Sequence, residues 1–135
     1  MKFEEIVTKL RDNSGRLFQF LRRVNNEADV LVVLADVLGC HREISYKTDF
    51  SEMRVDLVCG DVAVEVEVDK RPYDGFHQVL AYKALLDFEK VVIMHVVRYA
   101  YGEYVEAFKK MLNVIRDENV RGVIISVEDG EVFAF

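Results

Sequence analysis

Little in this chain breaks an ordered fold. Proline occurs once and glycine seven times, and no Pro/Gly/Ser-rich linker interrupts an apolar content of 51%. Disorder is therefore excluded as the main state. Cysteine occurs only as Cys40 and Cys59. No CxxC and no Cys/His pair at zinc spacing is present, which removes the usual structural zinc patterns. Both cysteines lie in or beside apolar segments, so the expectation is buried free thiols in a reducing compartment, the cytoplasm. No apolar run approaches the roughly 20 residues of a membrane span. The opening MKFEEIVTKLRDN lacks the apolar core of a secretory signal, so no membrane partner is expected. Positive charge is also scarce. Eighteen Lys and Arg face twenty-four Asp and Glu, a net charge of −6. That balance argues against broad electrostatic attachment to duplex backbone. It leaves room for a nuclease whose basic residues are local and whose acids are screened by metal.

The 135 residues suit one domain, residues 1–135, able to bury roughly two thirds of its unfolded surface. Phe3, Ile6, Val7 and Leu10 recur at helical spacing. Leu17, Phe20, Leu21 and Val24 continue the stripe past Asn13-Ser14-Gly15, as one kinked helix or two. Arg11, Arg16, Arg22 and Arg23 make this segment basic, either as a solvated face or as a backbone-contacting patch. Asn26 is a candidate N-cap for a helix over 27–38, with Gly39 as its C-terminal cap. That helix is apolar almost all round and so is buried on more than one side, possible ground for a homodimer. A strand is expected over 41–47, with Ile44 and Tyr46 on one side. Pro72 and Gly75 open a helix carrying Phe76, Val79, Leu80, Ala84 and Leu86. The run 91–97 reads as a central strand with His95 as a satisfied core residue. Residues 101–117 form an amphipathic helix with Val105, Phe108, Met111, Leu112 and Ile115 on one stripe, and Glu106 and Lys110 as an i,i+4 pair on the other side. A hairpin around Asp129-Gly130 closes the chain.

The stretch 53–68, MRVDLVCGDVAVEVEV, organises the rest. Gly60-Asp61 signals a two-residue hairpin loop. Cys59 then faces Val62, Asp56 faces Glu65, and Arg54 faces Glu67. Val55, Leu57, Cys59, Val62, Val64 and Val66 fall on one face, and Arg54, Asp56, Glu65 and Glu67 on the other. Opposed side chains sit roughly 5 Å apart. Two like charges there repel by roughly 3 kcal/mol at an effective dielectric of about 20. One arginine against three carboxylates leaves the cluster unbalanced. Raised carboxyl pKa values or a hard divalent cation must relieve it.

Asp56, then Glu65-Val66-Glu67 on the next strand, then Gln78 and Tyr82 four apart on the following helix, resembles the PD-(D/E)xK nuclease superfamily. The Gln78-x-x-x-Tyr82 element is similar to that of its RecB-like branch. The resemblance covers roughly residues 27–97 and departs from the pattern at two positions. Val55 stands in the place of the motif's proline, and Glu67 in the place of its lysine. The resemblance implies an α/β fold, a mixed central β-sheet flanked by helices (a restriction-endonuclease-like core), here with an N-terminal helical segment and a C-terminal β-hairpin. It also implies Mg²⁺ or Mn²⁺ held by Asp56, Glu65 and the Val66 carbonyl, with Glu67 as a second ligand or an orienter of water. Glu27 matches the acid that the helix before the first strand often supplies. Gln78 and Tyr82 would contact the nucleic-acid backbone or brace the strand residues. Lys70 or Lys83 could replace the missing lysine.

Three functions fit these residues. The first is a metal-dependent nuclease acting on DNA or RNA, with DNA the expected partner. The second is a catalytically silent nuclease-like module that binds nucleic acid or protein. The third is a structural domain in which Arg54 pairs with Glu67 and the remaining acids are solvated.

Overall fold

A computed structural model describes residues 1–135. Its elements run α1 (Phe3–Asp12), α2 (Ser14–Leu21), α3 (Glu27–Leu38), β1 (His41–Lys47), β2 (Glu52–Cys59), β3 (Val62–Val68), α4 (Phe76–Leu86), β4 (Lys90–Val97), α5 (Gly102–Ile115), β5 (Val120–Ser126) and β6 (Glu131–Ala134). The six strands form one sheet in sequence order. β1–β2 and β2–β3 pair antiparallel, β3–β4 and β4–β5 parallel, and β5–β6 antiparallel. The fold is thus the expected mixed α/β arrangement. α1, α2 and α3 bury Leu10, Leu21, Leu34 and their neighbours on one face. α4 and α5 bury Phe76, Tyr82 and Phe108 on the other. Strands covered on both faces need apolar residues at successive positions, which accounts for the run through β4. No helix is long and apolar enough to cross a membrane.

The local signals for α3 act as their chemistry dictates. Asn26 Oδ1 accepts from the Asp29 N–H at 2.9 Å, and Gly39 closes the helix at φ 68°. This sets Glu27 at the end of α3 nearest the start of β2. α3 buries Val30, Leu31, Leu34, Val37 and Leu38, while Val32 remains 46% exposed. At the other predicted kink the chain forms two helices. Asn13 ends α1, and its side chain donates to the Lys9 carbonyl at 2.8 Å. Leu17 and Leu21 continue the stripe of Leu10 into the same core, but Phe18 is buried and Phe20 is exposed, against the expectation for Phe20. Two further expectations shift by one position or face. Leu80 on α4 is 43% exposed, and Glu106 pairs with Lys109 at 3.6 Å rather than with Lys110.

The cysteines are not free. Cys40 and Cys59 form a disulfide with Cα atoms 4.7 Å apart. The β1–β2 register explains it. His41 stands opposite Val58, so the preceding Cys40 falls opposite Cys59, within bridging distance. The argument from free thiols to a reducing compartment therefore falls away.

The central hairpin follows the Gly60-Asp61 loop, with Cys59 opposite Val62, Val58 opposite Ala63 and Leu57 opposite Val64. There the pairing stops, and β2 leaves β3 at Asp56. On its other side β2 also loses a pair. Arg42 faces Leu57 and Ile44 faces Val55, while the intervening Glu43, at φ 55°, pairs with nothing. A non-glycine residue in that conformation is uncommon, and it marks a local break in the ladder. The strand's alternation fails at the same point. Leu57 packs with the α1–α3 face, but Val55 packs with the α4–α5 face. Val55 therefore does not share a face with Leu57 as its spacing predicts. Nor does Arg54 stand against Glu67; its guanidinium lies 3.9 Å from Glu43.

Candidate functional site

The gap where β2 parts from β3 opens a cavity of about 420 Å³, lined by Glu27, Glu52, Met53, Arg54, Asp56, Glu65, Gln78 and Tyr82. Four separate elements, α3, β2, β3 and α4, thus bring Glu27, Asp56, Glu65, Gln78 and Tyr82 to one place. Asp56 replaces the missing ladder bond with its side chain: Oδ2 accepts from the Val66 N–H at 2.8 Å. Glu65 is 8% exposed and Asp56 6%. The Tyr82 hydroxyl lies 2.5 Å from Glu65 Oε2 and 3.3 Å from the Arg54 carbonyl oxygen. It can donate to a Glu65 carboxylate, or accept from a protonated Glu65 and turn its own proton to Arg54. The tyrosine therefore holds the side chain in either state.

Burial first, and then the charge of Asp56, push the Glu65 carboxyl up to about 10. Burial also raises Asp56, against the opposing bonds from Val66 and Glu65. Both carboxyls are thus raised, and in the metal-free protein at neutral pH Glu65 holds its proton. Glu27 is exposed at the rim. Partial desolvation of its carboxyl and the charge of Asp56 raise it, and Arg54 and Lys70 oppose them. The Tyr82 hydroxyl is raised by burial and by Glu65.

Glu67 belongs to the wall between this cavity and a wider cleft of about 770 Å³, which it lines with Asp69, Lys70, Arg71, Asp74, His77 and Tyr104 among others. It still acts on the buried pair, raising both Asp56 and Glu65. Its side chain lies against Gly75, the N-cap of α4 at φ 86°. A Cβ at that glycine would stand 2.8 Å from Glu67 Cγ and 2.7 Å from Ile93 Cδ1. Lys83, one candidate to replace the motif lysine, is tied elsewhere. Its ammonium donates to the Glu89 carbonyl and lies 3.3 Å from Asp117. Lys70 is exposed in the cleft beside Glu67.

Two contributors escaped the sequence reading. Glu52 lines the cavity beside the expected Arg54 because β2 begins at its rim. The Glu43–Arg54 pairing that orients Arg54 depends on a β1–β2 register that no local motif specifies. The other is a buried network behind the cleft. His95 Nε2 lies 2.9 Å from the Asp74 carbonyl oxygen, and Nδ1 lies 2.6 Å from the Tyr104 hydroxyl, which is 2.8 Å from the Lys70 carbonyl oxygen. Burial pushes the imidazole down to about 4, so it is neutral at pH 7. His95 is the satisfied core histidine expected from its apolar strand. It anchors the β3–α4 loop from beneath.

No set of three His, Cys, Asp or Glu side chains is disposed to hold a metal ion. The carboxylates that do converge are two, Asp56 and Glu65, with the Val66 carbonyl named by the motif. Mg²⁺ commonly uses one or two carboxylates and keeps several waters, so this donor set fits such an ion. Comparison with protein-family models, with curated proteins and with solved structures gives no match. The class of protein rests on the geometry of this site alone.

Proposed function

We propose that this protein is a divalent-metal-dependent nuclease that hydrolyses phosphodiester bonds of DNA or RNA, DNA being the expected substrate. One observation carries the reading: Asp56 and Glu65 converge on one cavity, with Glu27 at its rim and Glu67 on the adjoining cleft, and none of the four is in an ion pair. Several acids elsewhere meet cations. Asp61 pairs with Lys90, Asp74 with Arg71, Asp117 with Lys83 and Glu128 with Arg98. Even Arg54, nearest to the cluster in sequence, is turned to Glu43. Buried, unpaired carboxyls are costly unless a proton or a cation neutralises them. A site that concentrates them beside an open cavity favours a cation.

Asp56 and Glu65 would hold Mg²⁺ or Mn²⁺ through hard oxygen donors, with the Val66 carbonyl. When bound, the ion supplies Lewis-acid polarisation of the phosphate and makes water a better nucleophile at neutral pH. Tyr82 keeps Glu65 aimed into the cavity, and the Val66 N–H does the same for Asp56. Glu67, on the adjoining wall, orients the attacking water. Gln78, one helical turn before Tyr82 on the same face, is placed to meet the backbone.

The test is cleavage of labelled DNA and RNA with Mg²⁺ or Mn²⁺ and with chelator, comparing the parent with Asp56→Asn and Glu65→Gln. Metal-dependent cutting by the parent and none by either variant is expected. Unchanged cutting by Asp56→Asn overturns the assignment. A second reading, the silent binding module, draws on Glu67 in the lysine's place and on Lys83 being held by Asp117. Nucleic-acid binding without cutting in either metal would favour it.

A further inference from the structure

Five aromatic side chains are largely exposed: Phe20, Phe50, Tyr73, Tyr99 and Tyr101. All but Phe20 project from one end of the sheet. β2 runs antiparallel to β3, and β4 runs parallel to it. The β1–β2 turn, the β3–α4 loop and the β4–α5 loop therefore meet at the end where β3 finishes. Glu67 lies near that end, and Glu65 and Asp56 follow from it toward the middle of β3 and β2.

These aromatics are not on slack segments. Phe50 is 87% exposed, yet its turn is closed by Thr48. The Thr48 hydroxyl donates to the Ser51 carbonyl and accepts from the Phe50 and Ser51 N–H groups, at 2.7 to 3.2 Å. Tyr73 has the Arg71 guanidinium 4.8 Å from its ring centre, and Arg71 is itself fixed by a fork to Asp74. Tyr99 and Tyr101 stack with ring centres 6.1 Å apart. The Arg98 N–H just before them donates to Asp69, which joins their loop to the cleft walled by Glu67. Lys47 and Lys70 stand exposed beside these loops.

We propose that this end of the sheet is a stacking platform for single-stranded nucleic acid, with bases on Phe50, Tyr73 and the Tyr99–Tyr101 pair and the backbone led through the Glu67 cleft toward Asp56 and Glu65. The proposal rests on the nuclease reading and adds its substrate class. Charge decides between single strand and duplex. At a net charge of −6 the protein cannot draw its affinity from many phosphate contacts, which duplex binding requires. Stacking of unpaired bases on aromatic rings needs few. Rings pre-set by their loops also lose little freedom on binding.

The measurement is fluorescence anisotropy of a labelled 20-nucleotide single strand and of the same sequence as duplex, in chelator, so that nothing is cut. The single strand should bind at least tenfold more tightly. The double variant Tyr99→Ser/Tyr101→Ser should bind it roughly 5- to 100-fold more weakly, and Phe50→Ala likewise. The double variant Tyr99→Phe/Tyr101→Phe should keep parental affinity. All these positions are exposed, so thermal unfolding should show the variants folded. Tighter binding of duplex, or equal affinity of the serine and phenylalanine double variants, overturns the platform. Cleavage with Mn²⁺ separates the two proposals. If the parent cuts and the serine variant cuts a single strand equally well, the platform fails and the nuclease stands. If the parent binds a single strand through these rings but cuts nothing, the nuclease fails and the platform stands.

Discussion

Two buried polar clusters flank the same strand pair, and burial drives them in opposite directions. Asp56 and Glu65 are pushed toward the protonated form, while His95 is pushed toward the unprotonated one. His95 is neutral at pH 7 and Glu65 keeps its proton, as low dielectric demands. Their surroundings differ. His95 is fully buried, and both ring nitrogens meet partners. The carboxyls face an open cavity, and the strand beside them has abandoned its ladder. A sealed cluster with every partner supplied is a brace. A cluster that keeps its charge deficit next to solvent is a binding site. In register the two nearly touch, since Glu67 stands opposite His95 across β3 and β4, so substitutions can separate brace from site.

The largest difference should appear in cleavage. Asp56→Asn should lower metal-dependent cutting by at least about 10³-fold, the scale for losing a preorganised electrostatic contact. His95→Gln should still cut, because its partners, the Asp74 carbonyl, Tyr104 and Phe108, lie outside the cavity of Asp56 and Glu65. Cutting lost in both, with His95→Gln shown folded, would erase the distinction. Next in size is stability. His95→Gln should cost about 1–3 kcal/mol in urea unfolding, through buried partners left unmatched. Gly75→Ala forces a Cβ against Glu67 and Ile93 and strains a positive φ, for a similar cost of about 1–3 kcal/mol. Glu65→Gln should act in the reverse direction, gaining about 1 kcal/mol in chelator near pH 8, because the buried side chain no longer has to take up a proton on folding. Parent and Glu65→Gln of equal stability there would argue against that proton uptake.

The two clusters should also leave opposite marks on the pH profile of stability. The Glu65 carboxyl is raised from 4.5 to about 10 on folding, so the folded state holds a proton that the unfolded state has released. Its contribution is full below about 4.5 and is lost as pH rises toward 10. The His95 imidazole is lowered from 6.5 to about 4. Its contribution is present above 6.5 and is lost as pH falls toward 4. In chelator, Glu65→Gln should flatten the alkaline limb and His95→Gln the acid limb. Smallest of all, Mg²⁺ should stabilise the parent by RT ln(1 + [L]/Kd) and His95→Gln equally, while Glu65→Gln should lose that gain. A thermal shift that persists in Glu65→Gln would place the ion elsewhere.

How much of this was legible in the sequence depends on the range of the interaction. Short-range chemistry was readable: the Asn26 and Gly39 caps, and the Gly60-Asp61 loop that fixes Leu57 opposite Val64. The convergence of Asp56, Glu65, Gln78 and Tyr82 followed from that register and from the helical spacing of the last two. The ladder break was not readable, because it requires Glu43 to adopt a conformation its residue type seldom takes. Val55 therefore changed face, and Arg54 found Glu43 rather than Glu67. The stripe did carry across the helix end in Leu17 and Leu21, and only Phe18 in place of Phe20 depended on tertiary packing. The cysteine pairing was hidden likewise, because it depends on β1 lying beside β2, and no turn residue specifies that register.

The disulfide closes residues 40–59 into a covalent ring. Within it lie the turn that displays Phe50 and the strand that carries Asp56. A protease cutting at that exposed tip would sever the chain without separating its two pieces, which would travel as one band until a reductant is added. Asp56 would stay fastened to the sheet after such a cut, a few residues from the sulfur bridge.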